Sequence, residues 1–312
     1  MSEVQTHDLV IVGAGPSALT AAIYTTREDI DTVLLEKGVI GGLAAITDWI
    51  DNYPGFAKGV SGLELADQLR AQAERFGAKI ELGEVTKIID EGEYKRLITT
   101  DGDYLAKAVL LATGTDYKKL GILGEKEFYA KGVHFCATCD GAFYRDKRLV
   151  VVGGGNSAVQ EALFLTRYAT HIDVLVRSTL KASDVLIHEL EKNDKITVHE
   201  GVTTDVIGGQ DGKLTYVEGT KDGQKVRFET DGVFVFIGLL PNTAFLKDSA
   251  IEIDSVGFIT TNAMLQTSMK GVYASGDVRK GATMQIASAA GEGATAALMI
   301  RQYLEGGDQK LY

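Results

Sequence analysis

Gly13-Ala14-Gly15-Pro16-Ser17-Ala18 and Gly153-Gly154-Gly155-Asn156-Ser157-Ala158 write one glycine turn twice, 140 residues apart. Each follows a short apolar run, Leu9–Val12 or Leu149–Val152, and each opens a stretch read as helix, 16–26 or 156–170. A second apolar run comes next in both copies, Thr32–Leu35 and Ile172–Val176. In such a strand–turn–helix–strand unit the glycines allow a tight turn and close approach of the backbone to a pyrophosphate. The helix N-terminus then offers free N–H groups to its charge. Glu36 stands 23 residues after Gly13, near the offset at which an acid grips ribose hydroxyls. A further pair of apolar runs, Val109–Gly114 and Val233–Gly238, follows the two units and extends the parallel. The fold class read from this pattern is α/β, with two Rossmann-like three-layer nucleotide-binding domains.

The second copy reads as inserted in the first. After Gly238 the chain makes another strand, 271–275, ending at Gly276-Asp277, and then an alanine-rich helix expected over 284–304. These elements are too few for a third domain but suffice to complete the first. The expected domains are 1–117 with 245–312, and 118–244. The crossings would fall near Asp116–Leu120 and Pro241–Phe245, and two short crossings make a hinge. A chain of 312 residues exceeds the size at which a single core keeps growing, which agrees with two domains.

Between the fingerprints lies Cys136-Ala137-Thr138-Cys139-Asp140, which holds both cysteines of the chain. Thiols separated by two residues can close a disulfide within one helical turn. One thiolate can attack a partner disulfide and the other can resolve the mixed disulfide. A nearby helix N-terminus would increase the thiolate fraction. Asp140 reads as the proton donor or acceptor for these thiols, or as a turn residue. Zinc needs four ligands, and only His134 and Asp140 could join the cysteines, in a cramped loop, so no metal is expected. His134 is read as a packing or solvent-facing residue, and Trp49 with the Tyr53-Pro54 turn as packing near the core of the first domain.

A net charge of −11 argues against nucleic acid or an anionic membrane as main partner. The longest apolar runs, such as Val233–Leu240, are strand-length and too short to cross a bilayer. Met1–His7 lacks the basic-then-apolar layout of a signal peptide. A cytoplasmic protein is expected, and in that compartment a lone Cys-x-x-Cys is catalytic or metal-binding more often than structural.

Together these motifs resemble the low-molecular-weight thioredoxin reductases, a family of FAD-dependent disulfide oxidoreductases. The resemblance covers essentially the whole chain through GAGPSA, Asn52-Tyr53-Pro54-Gly55, Ala112-Thr113-Gly114, CATCD, GGGNSA and Gly276-Asp277-Val278. The dithiol placed just before the second fingerprint is specific to this family, because glutathione-reductase-type enzymes carry theirs early in the FAD domain. A ferredoxin–NADP reductase of similar architecture would lack the dithiol. The resemblance implies FAD in the first domain, NADPH in the second, a homodimer, and thioredoxin or a thioredoxin-like protein as substrate.

Carried over by residue, it implies that Gly13, Gly15, Pro16 and Ser17 face the FAD pyrophosphate and Glu36 the adenosine ribose. Gly41, Gly42 and Leu43 would pass near the phosphates, with Thr113 and Gly114 also at the cofactor. Asn52 would lie near the isoalloxazine, and Gly276 and Asp277 would hold the ribityl chain. Gln285, otherwise a helix cap, and Ile286 would meet the flavin's pyrimidine end at a helix N-terminus, whose dipole favours negative charge on reduced flavin. By the same resemblance Cys139 is nearer the flavin, Cys136 attacks thioredoxin, and Asp140 manages protons. Gly153, Gly155, Asn156, Ser157, Arg177 and Lys181 would meet NADP(H).

The sequence departs from the family in one important place. Members specific for NADPH carry His-Arg-Arg and a further Arg after the second strand of the second domain. This chain reads Val176-Arg177-Ser178-Thr179-Leu180-Lys181. Lysine lacks the bidentate fork of arginine, and no acid stands at the strand end to select NADH. NADPH with weakened selectivity, NADH, and ferredoxin or another carrier stand as donors, in that order. A redox-sensing flavoprotein without turnover is the non-enzymatic reading. Smaller departures are Leu43 in place of a Gln, Ala142 in place of an aromatic after CATCDG, and Met284 in place of an Arg.

Overall fold

The computed structural model of the protein describes residues 4–47 and 49–306. The chain forms two compact units, one of the residues up to Asp116 with those from Leu240 onward, the other Tyr117–Leu239. In chain order the first unit contains β1 (Gln5–Val12), α1 (Pro16–Thr26), β2 (Thr32–Glu36), α2 (Gly42–Ala45), α3 (Gly62–Arg75) and β3 (Lys79–Leu82). Then come β4 (Val85–Glu91), β5 (Tyr94–Thr99), β6 (Asp103–Leu111) and the crossing strand β7 (Thr115–Tyr117). The second unit contains β8 (Val133–His134), α4 (Ala137–Asp140), β9 (Arg148–Val152), α5 (Asn156–Leu165), β10 (His171–Val176), α6 (Asp184–Glu191) and β11 (Ile196–Glu200). It continues with β12 (Val202–Gln210), β13 (Lys213–Lys221), β14 (Gln224–Glu229) and β15 (Gly232–Val235). The chain returns through β16 (Leu239–Pro241), and β17 (Val272–Ala274) and α7 (Ile286–Leu304) complete the first unit.

The first unit has the sheet order β3-β2-β1-β6-β5-β4, with β17 also paired to β6. β1, β2, β3 and β17 run parallel to their neighbours, whereas β4, β5 and β6 form an antiparallel meander. Leu9–Ile11 and Ala108–Leu111 are fully buried, as strands covered on both faces must be. One cover is α1 and α7, whose small residues bring them close: a Cβ on Gly293 of α7 would sit 2.2 Å from the Ser17 carbonyl oxygen. The second unit repeats the parallel core as β11-β10-β9-β15-β8, with a separate antiparallel sheet β12-β13-β14. The fold is therefore α/β with two Rossmann-like units.

Local chemistry moves some element ends from where the sequence pattern puts them. The helix expected to reach residue 170 ends at Leu165, because the Thr166 hydroxyl donates to the Leu163 carbonyl at 2.7 Å and Thr170 N–H leaves for Lys147 O at 2.9 Å. The helix expected from residue 284 starts at Ile286, because Met284 has φ of 57°. Trp49, expected to pack, is 39% exposed and donates to Asp51 at 3.0 Å.

β7 and β16 pair with each other as a two-stranded sheet. At one end of this pair Asn242 N–H donates to Gly114 O at 3.1 Å, and at the other Lys118 N–H donates to Gly238 O at 3.0 Å. The Thr113 hydroxyl donates to Asn242 O at 2.8 Å, and the Asn242 amide to Thr113 O at 3.1 Å. These bonds hold Asn242 to the first unit, so the return crossing lies at 239/240, a few residues before residue 245.

Candidate functional site

In the first unit, the turn after β1 is set by contact with the end of β6. Gly13 has φ of 101°, and a Cβ there would lie 2.5 Å from Ala112 O. Gly15 is the N-cap of α1 and Pro16 begins the helix, where its missing N–H costs nothing. A Cβ on Gly15 would meet nothing within 4 Å, which leaves a bare shelf of backbone at the helix N-terminus. Ala14 N–H donates to Glu36 Oε2 and Gly38 N–H to Glu36 Oε1, both at 2.7 Å. Glu36 is thus half-buried and bonded into the turn rather than a free strand end. Gly41 N–H donates to Ala14 O at 2.8 Å, so Gly41, Gly42 and Leu43 start α2 directly beside the fingerprint.

β17 delivers a second group to the same unit. Ser275 and Ser17 share a buried hydroxyl–hydroxyl hydrogen bond of 2.6 Å. Gly276 N–H donates to Glu292 Oε2 at 2.8 Å, and Arg279 pairs with the same carboxylate. Asp277 follows, with no hydrogen-bond partner for its carboxylate among the described residues. Burial pushes its pKa up to about 6, and the nearby Glu292 charge adds to the rise. Gln285 occupies the N-cap position of α7 but makes no capping bond. Its side chain instead accepts from Asn52 Nδ2 at 3.1 Å and donates to Met284 O at 2.9 Å. Asn52 and Gln285, far apart in sequence, are therefore neighbours, with Ile286 beside them at the helix start. Thr113 and Gly114 follow β6 at the crossing.

In the second unit Cys136 and Cys139 are joined as a disulfide. Cys136 is the N-cap of α4, and its sulfur accepts the Cys139 N–H at 3.2 Å. His134, at the end of β8, reaches two groups. Its Nδ1 lies 3.2 Å from Asp140 Oδ2, and its Nε2 lies 2.7 Å from the Tyr144 hydroxyl. Its ring stacks on buried Phe234, with centroids 5.2 Å apart. Burial, helped by the Asp140 and Asp231 charges, holds the Tyr144 phenol well above its usual range. Either Nε2 or the Tyr144 hydroxyl can donate in this pair, and the tautomer with its proton on Nδ1 is the one that donates to Asp140. The packing role expected of His134 is met by Phe234, and the link to Asp140 is additional. Phe143, beside the disulfide, is 54% exposed.

The second fingerprint repeats the first in backbone. Gly153 has φ of 147°, and a Cβ there would lie 2.3 Å from Phe236 O. Gly155 is the N-cap of α5, again with nothing within 4 Å of a Cβ. Asn156 Oδ1 accepts Ser183 N–H at 2.8 Å, and Ser157 is exposed. Lys181 N–H donates to Gly154 O at 2.7 Å, which draws the 177–181 loop against the turn. Arg177 and Lys181 are exposed and form no ion pair among the described residues. Sequence reading missed Ser275, Glu292, the His134 bridge, and Glu200, which accepts Leu180 N–H at 2.6 Å. All four act on a residue of another element, and none was singled out by a motif. Among the described residues, no group of three or more His, Cys, Asp or Glu is placed to hold a metal. No helix there is long and apolar enough to cross a membrane.

Comparison with known proteins places this geometry. Residues 7–293 match the family of pyridine nucleotide-disulphide oxidoreductases. The thioredoxin reductase of Bacillus subtilis (strain 168) is 40% identical over 98% of this chain and 97% of its own length. The crystal structure of thioredoxin reductase from Streptococcus pyogenes MGAS5005 superposes with a TM-score of 0.92 at 39% identity, over 97% of this chain and all of that one. The thioredoxin reductase from Giardia duodenalis superposes with a TM-score of 0.91 at 30% identity, over 96% of this chain and 99% of its own.

Proposed function

Since the chain belongs to the pyridine nucleotide-disulphide oxidoreductase family and is an oxidoreductase of the thioredoxin reductase type, we propose that it reduces the disulfide of thioredoxin or a thioredoxin-like protein. The observation that carries this reading is the Cys136–Cys139 disulfide on α4, with Asp140 in the same helix and His134 facing it. In the reduced state, the Cys136 thiolate attacks one sulfur of the partner disulfide and the other sulfur leaves as a thiolate. Cys139 then attacks Cys136 Sγ, which frees the partner as a dithiol and restores the Cys136–Cys139 bond. Two electrons leave the protein, and Asp140, held in place by His134, exchanges protons with the thiols.

FAD is the cofactor this reading assigns to the first unit, and the residues there fit it. The uncovered backbone at Gly15 suits a pyrophosphate at a helix N-terminus, and half-buried Asp277 has no partner among the described residues and could take a donor from a ribityl hydroxyl. Glu36, Gly41, Gly42, Leu43, Thr113 and Gly114 would line the adenosine and phosphate portion, and Asn52, Gln285 and Ile286 the ring. FAD, when bound, supplies the two-electron chemistry that links a nicotinamide donor to the disulfide. The donor is NADPH with weak selectivity, ahead of NADH and of ferredoxin, because Arg177 and Lys181 are the cations left in the 177–181 segment. The protein is read as a cytoplasmic homodimer.

The test is a trapping experiment with a thioredoxin that keeps one active-site thiol, activated as a mixed disulfide with a small leaving group. Cys139→Ser should hold a stable adduct through Cys136, seen by mass spectrometry, while Cys136→Ser should not. Both variants should keep bound flavin and lose turnover. An adduct formed only by Cys136→Ser would reverse the roles. Full turnover in either variant would end the proposal.

A further inference from the structure

The two units differ at the end of their second strand. In the first, Glu36 ends β2 and accepts two backbone N–H groups. In the second, Val176 ends β10 and packs over the turn, so that a Cβ on Gly154 would lie 2.5 Å from Val176 Cγ1. The acid in the second unit comes from the next strand. Glu200, the last residue of β11, accepts Leu180 N–H on Oε1 at 2.6 Å, and Gly201 N–H donates to Ser178 O at 3.0 Å. The 177–181 loop is therefore held between the fingerprint turn on one side and Glu200 on the other. Glu200 is exposed and forms no ion pair among the described residues.

We propose that Glu200 is a specificity-determining residue whose carboxylate disfavours a 2′-phosphate at the 177–181 loop and keeps discrimination between NADPH and NADH weak. The proposal rests on reading the second unit as the nicotinamide dinucleotide site. In a Rossmann unit the adenosine ribose comes to the end of the second strand, where an acid meets a 2′-hydroxyl or a cation meets a 2′-phosphate. A phosphate there needs cations and free N–H groups. Glu200 already takes one loop N–H and adds a like charge. A 2′-hydroxyl meets no such conflict, because it is uncharged and can donate to a carboxylate or accept from an amide in the same place.

Glu200→Gln is the informative variant, because it keeps an oxygen for Leu180 N–H and removes only the charge. The expected result is a kcat/KM for NADPH raised about tenfold, equivalent to about 1.4 kcal/mol, with that for NADH unchanged within about twofold. Calorimetric titration gives a readout independent of turnover. Adenosine 2′,5′-bisphosphate should bind about tenfold more tightly to Glu200→Gln, and 5′-AMP equally to both proteins. An unchanged ratio overturns the proposal. So does an equal change for both nucleotides, which would make Glu200 a loop-shaping residue only. If the unsubstituted protein reduces no disulfide with either nucleotide, the proposed function fails, and the titration alone decides the role of Glu200.

Discussion

The two fingerprint turns share a backbone and differ in what closes them. In both, the first glycine donates to the end of the neighbouring strand, Gly13 to Leu35 O at 2.8 Å and Gly153 to Leu175 O at 3.0 Å. In both, that glycine is pressed against the end of a third strand, and the glycine two residues later, Gly15 or Gly155, caps the helix with ψ of −179°. The closing residue is Glu36 in one and Val176 in the other. The shared backbone hydrogen bond and steric packing therefore make the turn, which forms with an acid or a valine at the strand end. Its shape is what the two proposed dinucleotide sites have in common. The strand end and its neighbours say which dinucleotide, and how firmly it is held.

The parallel extends to the reactive groups. Val272 of β17 pairs with Val109 of β6, and Val133 of β8 pairs with Val233 of β15. Val109 and Val233 each precede by three residues the carbonyl that meets the first fingerprint glycine, Ala112 or Phe236. Counting on from those pairs, Ser275-Gly276-Asp277 and Cys136-Ala137-Thr138 occupy matching positions. One socket of the fold thus carries the half-buried Asp277 carboxylate in one unit and the start of the disulfide-bonded Cys136–Cys139 segment in the other.

The sharpest way to break the comparison is Gly13→Ala beside Gly153→Ala. Each puts a methyl group on a carbonyl oxygen at positive φ, and each should cost more than about 3 kcal/mol by denaturant unfolding. If one variant were tolerated, the turns would not share a steric origin.

Asp277→Asn tests the matching socket. The folded pKa of Asp277 is raised, so its contribution is present at low pH and lost as pH rises through about 6. The flavin-free Asn variant should therefore be more stable than the unsubstituted protein by up to about 3 kcal/mol at pH 8, with no gain near pH 3. Thermal melts across that range decide it. Thr138→Ala, at the matching position, should show no such pH dependence.

Glu36→Ala leaves the Ala14 and Gly38 N–H groups without their acceptor. It should cost about 1–3 kcal/mol and speed flavin loss, measured by ultrafiltration of the yellow protein. The smallest effect on folding belongs to Gly15→Ala and Gly155→Ala. Both added methyl groups face open space, so stability should fall by less than about 1 kcal/mol. Binding should suffer in each unit separately, flavin for Gly15 and nicotinamide nucleotide for Gly155. A variant that unfolds would show that the shelf carries structure as well as ligand.

Local patterns were enough to read α1, whose limits at Pro16 and Thr26 follow from a proline at N1 and a run of small apolar residues. They were enough for the central strands, because burial on both faces leaves a continuous apolar run. The sheet β12-β13-β14 went unread, since its half-exposed residues alternate weakly and draw stability from partners elsewhere in the chain. α3 went unread although Ser61 caps it and Leu65, Ala66, Leu69 and Ala73 give it a buried stripe at helical spacing. The candidate sites divide in the same way. Cys136, Cys139 and the glycines announce themselves by spacing. Glu200 and His134 do not, because each acts on a residue of another element: Glu200 on the loop after β10, and His134 on Asp140 and Tyr144. The strand end at Val176 suggested that no acid was present, when the acid had come from the adjacent strand.

The paired crossings also bear on how such a chain can reach its fold. Lys118 and Gly238 are one hydrogen bond apart, so the inserted unit begins and ends at the same place. To the rest of the polymer it is a loop of well over a hundred residues, and closing a flexible loop of that length costs about 4 kcal/mol of chain entropy. Once Tyr117–Leu239 has folded on its own contacts, that loop is already shut, and β17 and α7 are tethered a short span from the sheet they complete. An insertion that interrupts the sequence of the first unit therefore shortens its effective contact order, and the order of assembly with the lower barrier is the inner unit first.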